Sequence, residues 1–206
     1  MNYPLAPWIL RGYGFLTLHL VDVAQAEKYI PTALEIVQVL PGKTIGGIVL
    51  GKYEPGSTLT YGELIVVPAL VRQGGNIGAW ISHIYVDDLN SIAGGHKIWG
   101  LPKEEAQFVW QSNGGAMVKQ GDRVLCDFTP TWQFNLWRQR GQFGTYSSLE
   151  QLARFESEAI ANLSLISARL DIPASSPFAH MIRTQPWLAL RAESLELTVA
   201  APKRVG

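Results

Sequence analysis

Lys103 lies in surroundings that raise the question of chemistry, although by composition alone it would be interpreted as an exposed loop lysine. It ends the stretch GGHKIWGLPK, residues 94–103, where three glycines, a tryptophan and a proline lead to the lysine; Glu104 follows at once. A lysine attacks a carbonyl to form a Schiff base only as the neutral amine. With the ordinary lysine pKa of ~10.4, roughly one side chain in a few thousand is neutral at pH 7. Desolvation or a nearby cation lowers a lysine pKa, so a constrained setting favours this chemistry.

Other common catalytic and metal-binding patterns do not occur. The four histidines form none of the closely spaced pairs that zinc sites use, and there is one cysteine, so no metal site is predicted. The histidines are predicted to be hydrogen-bonded side chains in or near the core: His19, His83, His96 and His180. Phosphate-binding glycine loops and the GxSxG turn are also missing from the sequence.

The elements that must position Lys103 are predicted to be mostly short strands. Two of them, TIGGIVLGKY and LTYGELIVVPALV, flank the turn EPGS and predict a hairpin. Later segments predict one more strand, then a meander of three short strands, then a final strand: IGAWISHIYV; EAQFVWQ, AMVKQ and RVLCDF; and WLALRAESLELTVAAP.

Three short helices are predicted between the strands. DVAQAEKYI begins at Asp22 with capping-box spacing, and DDLNSIAGG predicts one or two turns capped by an aspartate. Residues 147–159 have the same capping spacing, and apolar residues recur every third position, which predicts a third helix: Leu149, Leu152 and Phe155.

Many short strands with few helices predict a mainly β (α+β) fold, either a barrel or a sandwich. Glycines inside the strands are typical of the bulges and bends of a small closed barrel: Gly46, Gly47, Gly51, Gly62 and Gly78. The length of 206 residues predicts one domain, residues 1–206, with a substantial core.

The composition limits the classes of binding partner that we expect for this protein. The chain has 17 basic and 17 acidic residues and therefore a formal net charge of zero, which argues against a nucleic-acid partner. Seven Trp, seven Tyr and seven Phe predict apolar surface buried between subunits, hence a homo-oligomer. A single cysteine, Cys126, fits a reducing compartment, and no segment is long and apolar enough for a membrane span, so a cytoplasmic protein without a membrane partner is predicted.

The segment GGHKIWGLPKEEAQ, with YGELIVVPALV and ISHIYVDDLNSIAGG before it, resembles the acetoacetate decarboxylase family. Lys103 matches the Schiff-base lysine of that family, and Glu63, 40 positions earlier (103 − 63 = 40), matches its catalytic glutamate. The resemblance covers most of the chain and is weakest over residues 129–185. It implies a cone-like antiparallel β-barrel, an oligomer, and a reaction that needs no cofactor.

This sequence departs from the family pattern at three places. A second lysine that follows the nucleophile in the family is replaced by Glu104, although neighbours on an extended chain point to opposite sides. The Arg-Glu pair of the family becomes His96-Lys97, so that a carboxylate is lost and a cation is gained. Lys97, with His96 beside it, would either supply positive potential in place of the missing lysine or simply be solvated. A further glutamate near position 47 is absent from IGGIVLG.

Three more residues are candidates for the substrate pocket. Arg11 lies near the position of the family's substrate-binding arginine and would bind a substrate carboxylate. In the alternative interpretation, Arg11 is a surface arginine without a role in binding. Tyr61 shares a strand face with Glu63 by alternation. Trp99 is expected to form part of the pocket wall.

The function that follows from the resemblance is Schiff-base lyase chemistry on a small keto acid. Lys103 would be the nucleophile and Glu63 a proton shuttle or orienting group, in a decarboxylation or a related aldol or dehydration reaction. The alternative is a barrel of the same fold that binds an apolar small molecule without catalysis. Loss of the second lysine and of two carboxylates favours the alternative, whereas retention of Lys103 and Glu63 favours the enzyme.

Overall fold

A computed structural model describes residues 3–148, 150–182 and 185–205 of the chain. Two short α-helices, α1 (Val23–Ala26) and α2 (Leu89–Gly94), each run into a further turn, a 3₁₀ turn at Glu27–Tyr29 and a π turn at Gly95–Trp99. The remaining regular elements are strands: β1 Trp8–Asp22, β2 Glu35–Ile36, β3 Lys43–Tyr53, β4 Tyr61–Val67, β5 Ala69–Gln73, β6 Asn76–Trp80, β7 His83–Val86, β8 Lys103–Glu105, β9 Gln107–Trp110, β10 Ala116–Gln120, β11 Arg123–Ser147, β12 Ala153–Asp171, β13 Leu188–Val199 and β14 Lys203–Arg204.

The strands form one mixed sheet in the order β2-β5-β6-β11-β12-β13-β1-β3-β4-β7-β8, with β9, β10 and β14 attached off this path. The predicted mainly β class with a few short helices is confirmed. The closed antiparallel barrel is not seen: in the described residues the path ends at β2 and β8, strands of two and three residues. Two pairings, β7 with β8 and β6 with β11, are parallel. Between β7 and β8, helix α2 carries the chain back to the same end of the sheet.

The predicted hairpin, meander and final strand are present as β3–β4, β9–β10–β11 and β13. The helix predicted at residues 147–159 is wrong. Strand β12 begins at Ala153, and burial alternates with period two, since Ala153, Phe155 and Ser157 are buried. Pairing with β11 and β13 outweighs the local helical pattern. Leu149, part of that pattern, lies outside the described residues.

Two of the four apolar clusters lie on opposite faces of β4. Leu64 and Val66 face a large core that also contains Phe178 and Met181 from the loop after β12. Tyr61 lies in the opposite layer, formed with β1 residues such as Leu10. Alternation along β4 places Glu63 on the Tyr61 side. No helix in the described ranges has the length and apolar character needed to cross a bilayer.

Candidate active site

Lys103 is buried, with 4% of its surface exposed, and its ammonium group is surrounded by oxygen atoms. Nζ donates to Glu63 Oε1 at 2.9 Å, to Ser91 Oγ at 2.9 Å and, at the long distance of 3.5 Å, to the Tyr61 hydroxyl. These three acceptors match the three N–H donors of an ammonium group. A buried charge that is paired and fully hydrogen-bonded avoids most of the cost of desolvation.

Strand pairing brings Lys103 and Glu63 together. Lys103 pairs with Ile84 of β7, and Glu63 pairs with Val86 of the same strand. Ile84 and Val86 are two residues apart and therefore share a face of the sheet. The lysine and the glutamate consequently project into one layer from strands on either side of β7. The spacing of 40 residues in sequence is bridged by this single intervening strand.

The glycine pair in GGHKIWGLPK makes room for the site. A Cβ atom on Gly95 would lie 2.5 Å from Lys103 Cδ, and one on Gly94 would lie 2.6 Å from Trp8 Cζ2. Gly100 ends the π turn with φ of 63°, a conformation that glycine adopts readily. The Leu101 N–H then donates to the Gly95 carbonyl at 3.0 Å. Tight packing of this turn against the lysine accounts for the unusual composition of the stretch.

The second carboxylate oxygen of Glu63 is held by a tyrosine. The Tyr53 hydroxyl donates to Glu63 Oε2 at 2.9 Å, and the rings of Tyr53 and Tyr61 meet edge to face at 4.9 Å. Burial, and then the charge of Glu63, raise the pKa of both phenols well above the usual value. Both hydroxyls therefore remain protonated donors at neutral pH. A Cβ on Gly51, which pairs with Glu63, would lie 3.2 Å from the Tyr53 hydroxyl.

Two aromatic rings cover the amine. Lys103 Nζ lies 4.9 Å from the centre of the Tyr61 ring and 5.7 Å from that of Trp8. Such contacts stabilise a cation by roughly 0.5–2 kcal/mol, depending on desolvation. Trp99 lies behind Trp8, with ring centroids 4.8 Å apart, and donates its indole N–H to the Ala200 carbonyl at 2.8 Å. Trp99 therefore supports the inner aromatic wall and does not itself contact the amine.

His96 holds the strand that carries the lysine. Its Nε2 lies 2.7 Å from the Lys103 carbonyl oxygen. Because a carbonyl only accepts, this nitrogen carries the hydrogen. The contact positions the backbone of β8. Lys97, its neighbour, is exposed and lines a separate cavity of about 430 Å³ together with Trp99 and Arg204, so its electrostatic role remains a prediction.

Glu104 points away from the amine. It pairs with Tyr85, on the face opposite to Lys103, and its carboxylate accepts from Gln120 Nε2 at 2.8 Å. Its charge helps to raise the pKa of Tyr85 and opposes the effect of burial on the pKa of His83. Position 47, near which the family has its further glutamate, has no room for a side chain, since a Cβ on Gly47 would lie 2.8 Å from the Thr17 carbonyl oxygen.

The structure does not bring Arg11 to the site. Its side chain is half exposed and pairs with Glu196 on β13, with both Nε and Nη2 3.0 Å from Oε2. The adjacent Leu10 is buried in the layer that contains Tyr61, so alternation along β1 turns Arg11 to the other side. The arginine predicted to grip a substrate therefore belongs to a surface ion pair.

Sequence reasoning missed three contacts of the site: Trp8, Tyr53 and Ser91. Ser91 had a local signal, because it lies three residues after Asp88, whose carboxylate caps α2 by accepting from the Ser91 N–H at 2.6 Å. Tyr53 had a weaker signal, because it shares a face of β3 with Gly51, one of the glycines noted inside the strands. Trp8 had no local signal, because its contact with Lys103 depends on how β1 meets α2.

Comparison with known proteins gives a family match. The family model described as "Acetoacetate decarboxylase (ADC)" matches residues 3–159. The chain is 32% identical over 108 residues to a tomato (Solanum lycopersicum) protein named NEOXANTHIN-DEFICIENT 1, covering 52% of this chain and 36% of that protein. It is 31% identical over 116 residues to an acetoacetate decarboxylase of Acidiphilium cryptum, covering 52% of this chain and 42% of that protein. The matched stretches thus span well under half the length of these curated relatives.

Solved structures share the fold. An acetoacetate decarboxylase from Legionella pneumophila superposes with a TM-score of 0.81 at 17% identity, covering 100% of this chain and 90% of that one. The enduracididine biosynthesis enzyme MppR, complexed with pyruvate, superposes with a TM-score of 0.71 at 15% identity, covering 100% of this chain and 92% of that one. The agreement of the family model, the fold and the motif around a buried lysine leads to one conclusion: this chain belongs to the acetoacetate decarboxylase family.

Proposed function

We propose that this protein is a lyase that forms a Schiff base between Lys103 and a small keto acid. The observation that carries the proposal is the contact of a buried lysine amine with a buried carboxylate, at 2.9 Å between Nζ and Glu63 Oε1. Family membership supports the same reaction class, and MppR, which shares the fold, is described as complexed with pyruvate. Decarboxylation of a β-keto acid is the reaction favoured here.

The first step is loss of a proton from the Lys103 ammonium. Glu63 Oε1 is in hydrogen-bonding position to accept it, and Tyr53 holds the other carboxylate oxygen in place. The neutral amine then attacks the keto carbon, and a proton passes from the nitrogen to the carbonyl oxygen to give a carbinolamine. The carbinolamine hydroxyl takes the proton held by Glu63 and leaves as water, which gives a cationic iminium. Tyr61 and Trp8, whose rings face the ammonium, would stabilise this second cation in the same way.

The iminium then accepts the electron pair of the bond that breaks. In a β-keto acid the carbon–carbon bond to the carboxylate breaks, carbon dioxide leaves, and the electrons form an enamine. The enamine carbon takes up a proton, and water hydrolyses the resulting iminium to release a ketone and the free lysine. Ser91 Oγ, 2.9 Å from Nζ, lies where it can orient the amine and the carbinolamine hydroxyl.

A second candidate, a binding protein without catalysis, is favoured by one observation. The Lys103 ammonium already has Glu63, Ser91 and Tyr61 as acceptors, and a charged amine is not nucleophilic. In this candidate the lysine–glutamate pair is structural, and a ligand occupies the aromatic layer without reaction.

Borohydride trapping separates the two candidates. The protein is incubated with acetoacetate, pyruvate and related keto acids, reduced with borohydride, and mapped by mass spectrometry. We expect an adduct on Lys103, and release of carbon dioxide from the β-keto acid. Lys103→Arg should lose both signals, whereas the exposed Lys28→Arg should keep them. A folded protein that gives no adduct with any keto acid would refute the enzyme and favour the binding protein.

A further inference from the structure

The layer that contains the Lys103 amine continues into apolar side chains. Tyr61, whose ring lies 4.9 Å from Nζ, belongs to a buried cluster with Leu10, Tyr53 and Val86. Partly buried apolar residues pack against this cluster, and we call them the apolar wall: Leu59, Ile92, Leu195, Leu197 and Val199. They come from the loop before β4, from α2 and from β13.

Strand pairing places the β13 part of the apolar wall beside the site. Val199 pairs with Trp8, whose ring also faces Nζ, and Leu197 pairs with Leu10. Paired residues of neighbouring strands lie on the same face of a sheet, so both wall residues share the layer of the amine. All five residues of the apolar wall are partly exposed, so solvent reaches the layer there. A substrate that enters by this side meets apolar groups before its carbonyl meets Lys103.

The elements that carry this layer offer a substrate carboxylate no second cation. They are β1, β3, β4, β7, β8, β13 and α2, and they contain four lysine or arginine residues besides Lys103. Each of the four is engaged with another group: Arg11 with Glu196, Arg191 with Glu193, Lys43 with Asp22, and Lys52 over the Trp110 ring. Within these described elements, a carboxylate beside Lys103 would therefore have only the lysine itself to offset its charge.

This lack of a second cation favours a substrate whose carboxylate leaves. An ionised carboxylate without a partner is costly in apolar surroundings. In a β-keto acid the carboxylate departs as neutral carbon dioxide, and the electrons of the broken carbon–carbon bond pass to the iminium. The cost is therefore relieved on the way to the transition state, which accelerates the reaction. An α-keto acid that forms the iminium through its keto group keeps its carboxylate at the site.

We propose that the substrate is a β-keto acid whose ketone carries an apolar chain of several carbons, and that Leu195 and Leu197 of the apolar wall select that chain. The inference rests on the Schiff-base function proposed above and narrows its substrate class. Each methylene group that the apolar wall removes from water should strengthen binding about fourfold. The methyl group of acetoacetate is too short to use much of this surface.

A chain-length series tests the preference in the intact protein. Acetoacetate, β-ketohexanoate and β-ketooctanoate are compared by carbon dioxide release, corrected for spontaneous loss in buffer, and by borohydride trapping on Lys103. We expect kcat/KM to rise roughly tenfold for each two added methylene groups. Pyruvate, which keeps its carboxylate, should be trapped more slowly than any of the three.

Leu197→Gln tests the apolar wall itself. The polar amide should lower the ratio of kcat/KM for β-ketooctanoate to that for acetoacetate by about fivefold or more, and change kcat/KM for acetoacetate little. The matched control Leu190→Gln changes another partly buried leucine of β13, outside the apolar wall, and should leave the ratio unchanged. Leu195→Gln is the second wall variant, and circular dichroism checks that each variant is folded.

Failure of this inference and failure of the proposed function give different results. The chain preference is overturned by equal kcat/KM values across the series, by pyruvate trapping as fast as that of the β-keto acids, or by a ratio that neither wall variant changes. In each of these cases the adduct on Lys103 still forms, so the Schiff-base function stands. A folded protein that forms no adduct with any keto acid refutes the proposed function, and the chain preference with it.

Discussion

At the scale of single residues, the Lys103 site depends on contacts that leave little room. The amine is placed by three oxygen acceptors, and its aliphatic stem packs directly on the backbone of Gly95. The contacts with the Tyr61 and Trp8 rings suit both the ammonium and an iminium, because both are cations, whereas an iminium keeps only one of the three N–H donors. Small changes that move Nζ should therefore affect reactivity more than folding.

Gly95→Ala tests the packing of the stem. The new methyl group would lie 2.5 Å from Lys103 Cδ, and the flexible lysine side chain must move to make room. We expect at least a tenfold lower rate of borohydride trapping, with a melting temperature within a few degrees of the parent. Gly141→Ala is the control, since a Cβ there meets nothing within 4 Å. Equal trapping rates in the two variants would show that stem packing does not position the amine.

Lys103→Met tests the buried pair. It leaves the Glu63 carboxylate in a buried site without its cation, which typically costs 3–5 kcal/mol. Adding Glu63→Gln removes the unpaired charge and should restore part of the stability. Urea unfolding of the single and double variants measures both effects. A double variant as unstable as Lys103→Met alone would contradict this account of the pair.

At the scale of elements, helix α2 and the π turn after it set the position of the amine. The helix supplies Ser91, and the turn supplies Gly95 and His96. A helix of six residues has little stability of its own, so its cap and its packing must maintain it.

The two predicted aspartate caps differ in the structure and should differ in energy. Asp88 accepts from the Ser91 N–H, whereas Asp22, predicted to cap α1, makes no such bond and pairs with Lys43 at 2.6 Å on the surface. We expect Asp88→Ala to lower the free energy of unfolding by about 1 kcal/mol. Asp22→Ala should cost about 0.5 kcal/mol or less, as exposed ion pairs contribute little. Urea titrations of the two variants measure these losses in the free energy of unfolding. Equal losses would contradict the assignment of a capping role to Asp88 and not to Asp22.

At the scale of the whole molecule, buried tyrosines couple stability to alkaline pH. Burial, with a contribution from Glu104, raises the pKa of Tyr85 to about 12, and the pKa values of Tyr53 and Tyr61 are also raised. Below pH 10 both the folded and the unfolded chain keep these protons. Above pH 10 only the folded chain keeps them, so its stability should fall until pH passes the raised values.

Urea midpoints measured between pH 8 and pH 11.5 test this coupling. We expect a constant midpoint to about pH 9.5 and then a decline, with each tyrosine contributing at most ~1.4 kcal/mol per pH unit. Tyr85→Phe should make the decline shallower. A flat profile to pH 11.5 would mean that these hydroxyls are not buried in the folded protein.

The sequence by itself determined the hairpin β3–β4, the meander and the final strand, because alternation and turn residues act over short stretches of chain. Lys103 and Glu63 were singled out by the resemblance of their segments to the family and not by composition. The sequence also predicted that an aspartate caps α2, because capping involves residues only three positions apart; the structure identifies it as Asp88.

Only the tertiary structure decided which side chains meet the amine and how the sheet ends. Tyr53 reaches Glu63 through the pairing of β3 with β4, and Trp8 reaches Lys103 through the packing of β1 against α2. Arg11 lies outside the site because alternation along β1 turns it away, and residues 153–159 are a strand because β11 and β13 pair with them. Long-range pairing and burial outweigh local propensity, which amounts to less than 1 kcal/mol per residue for most residue types.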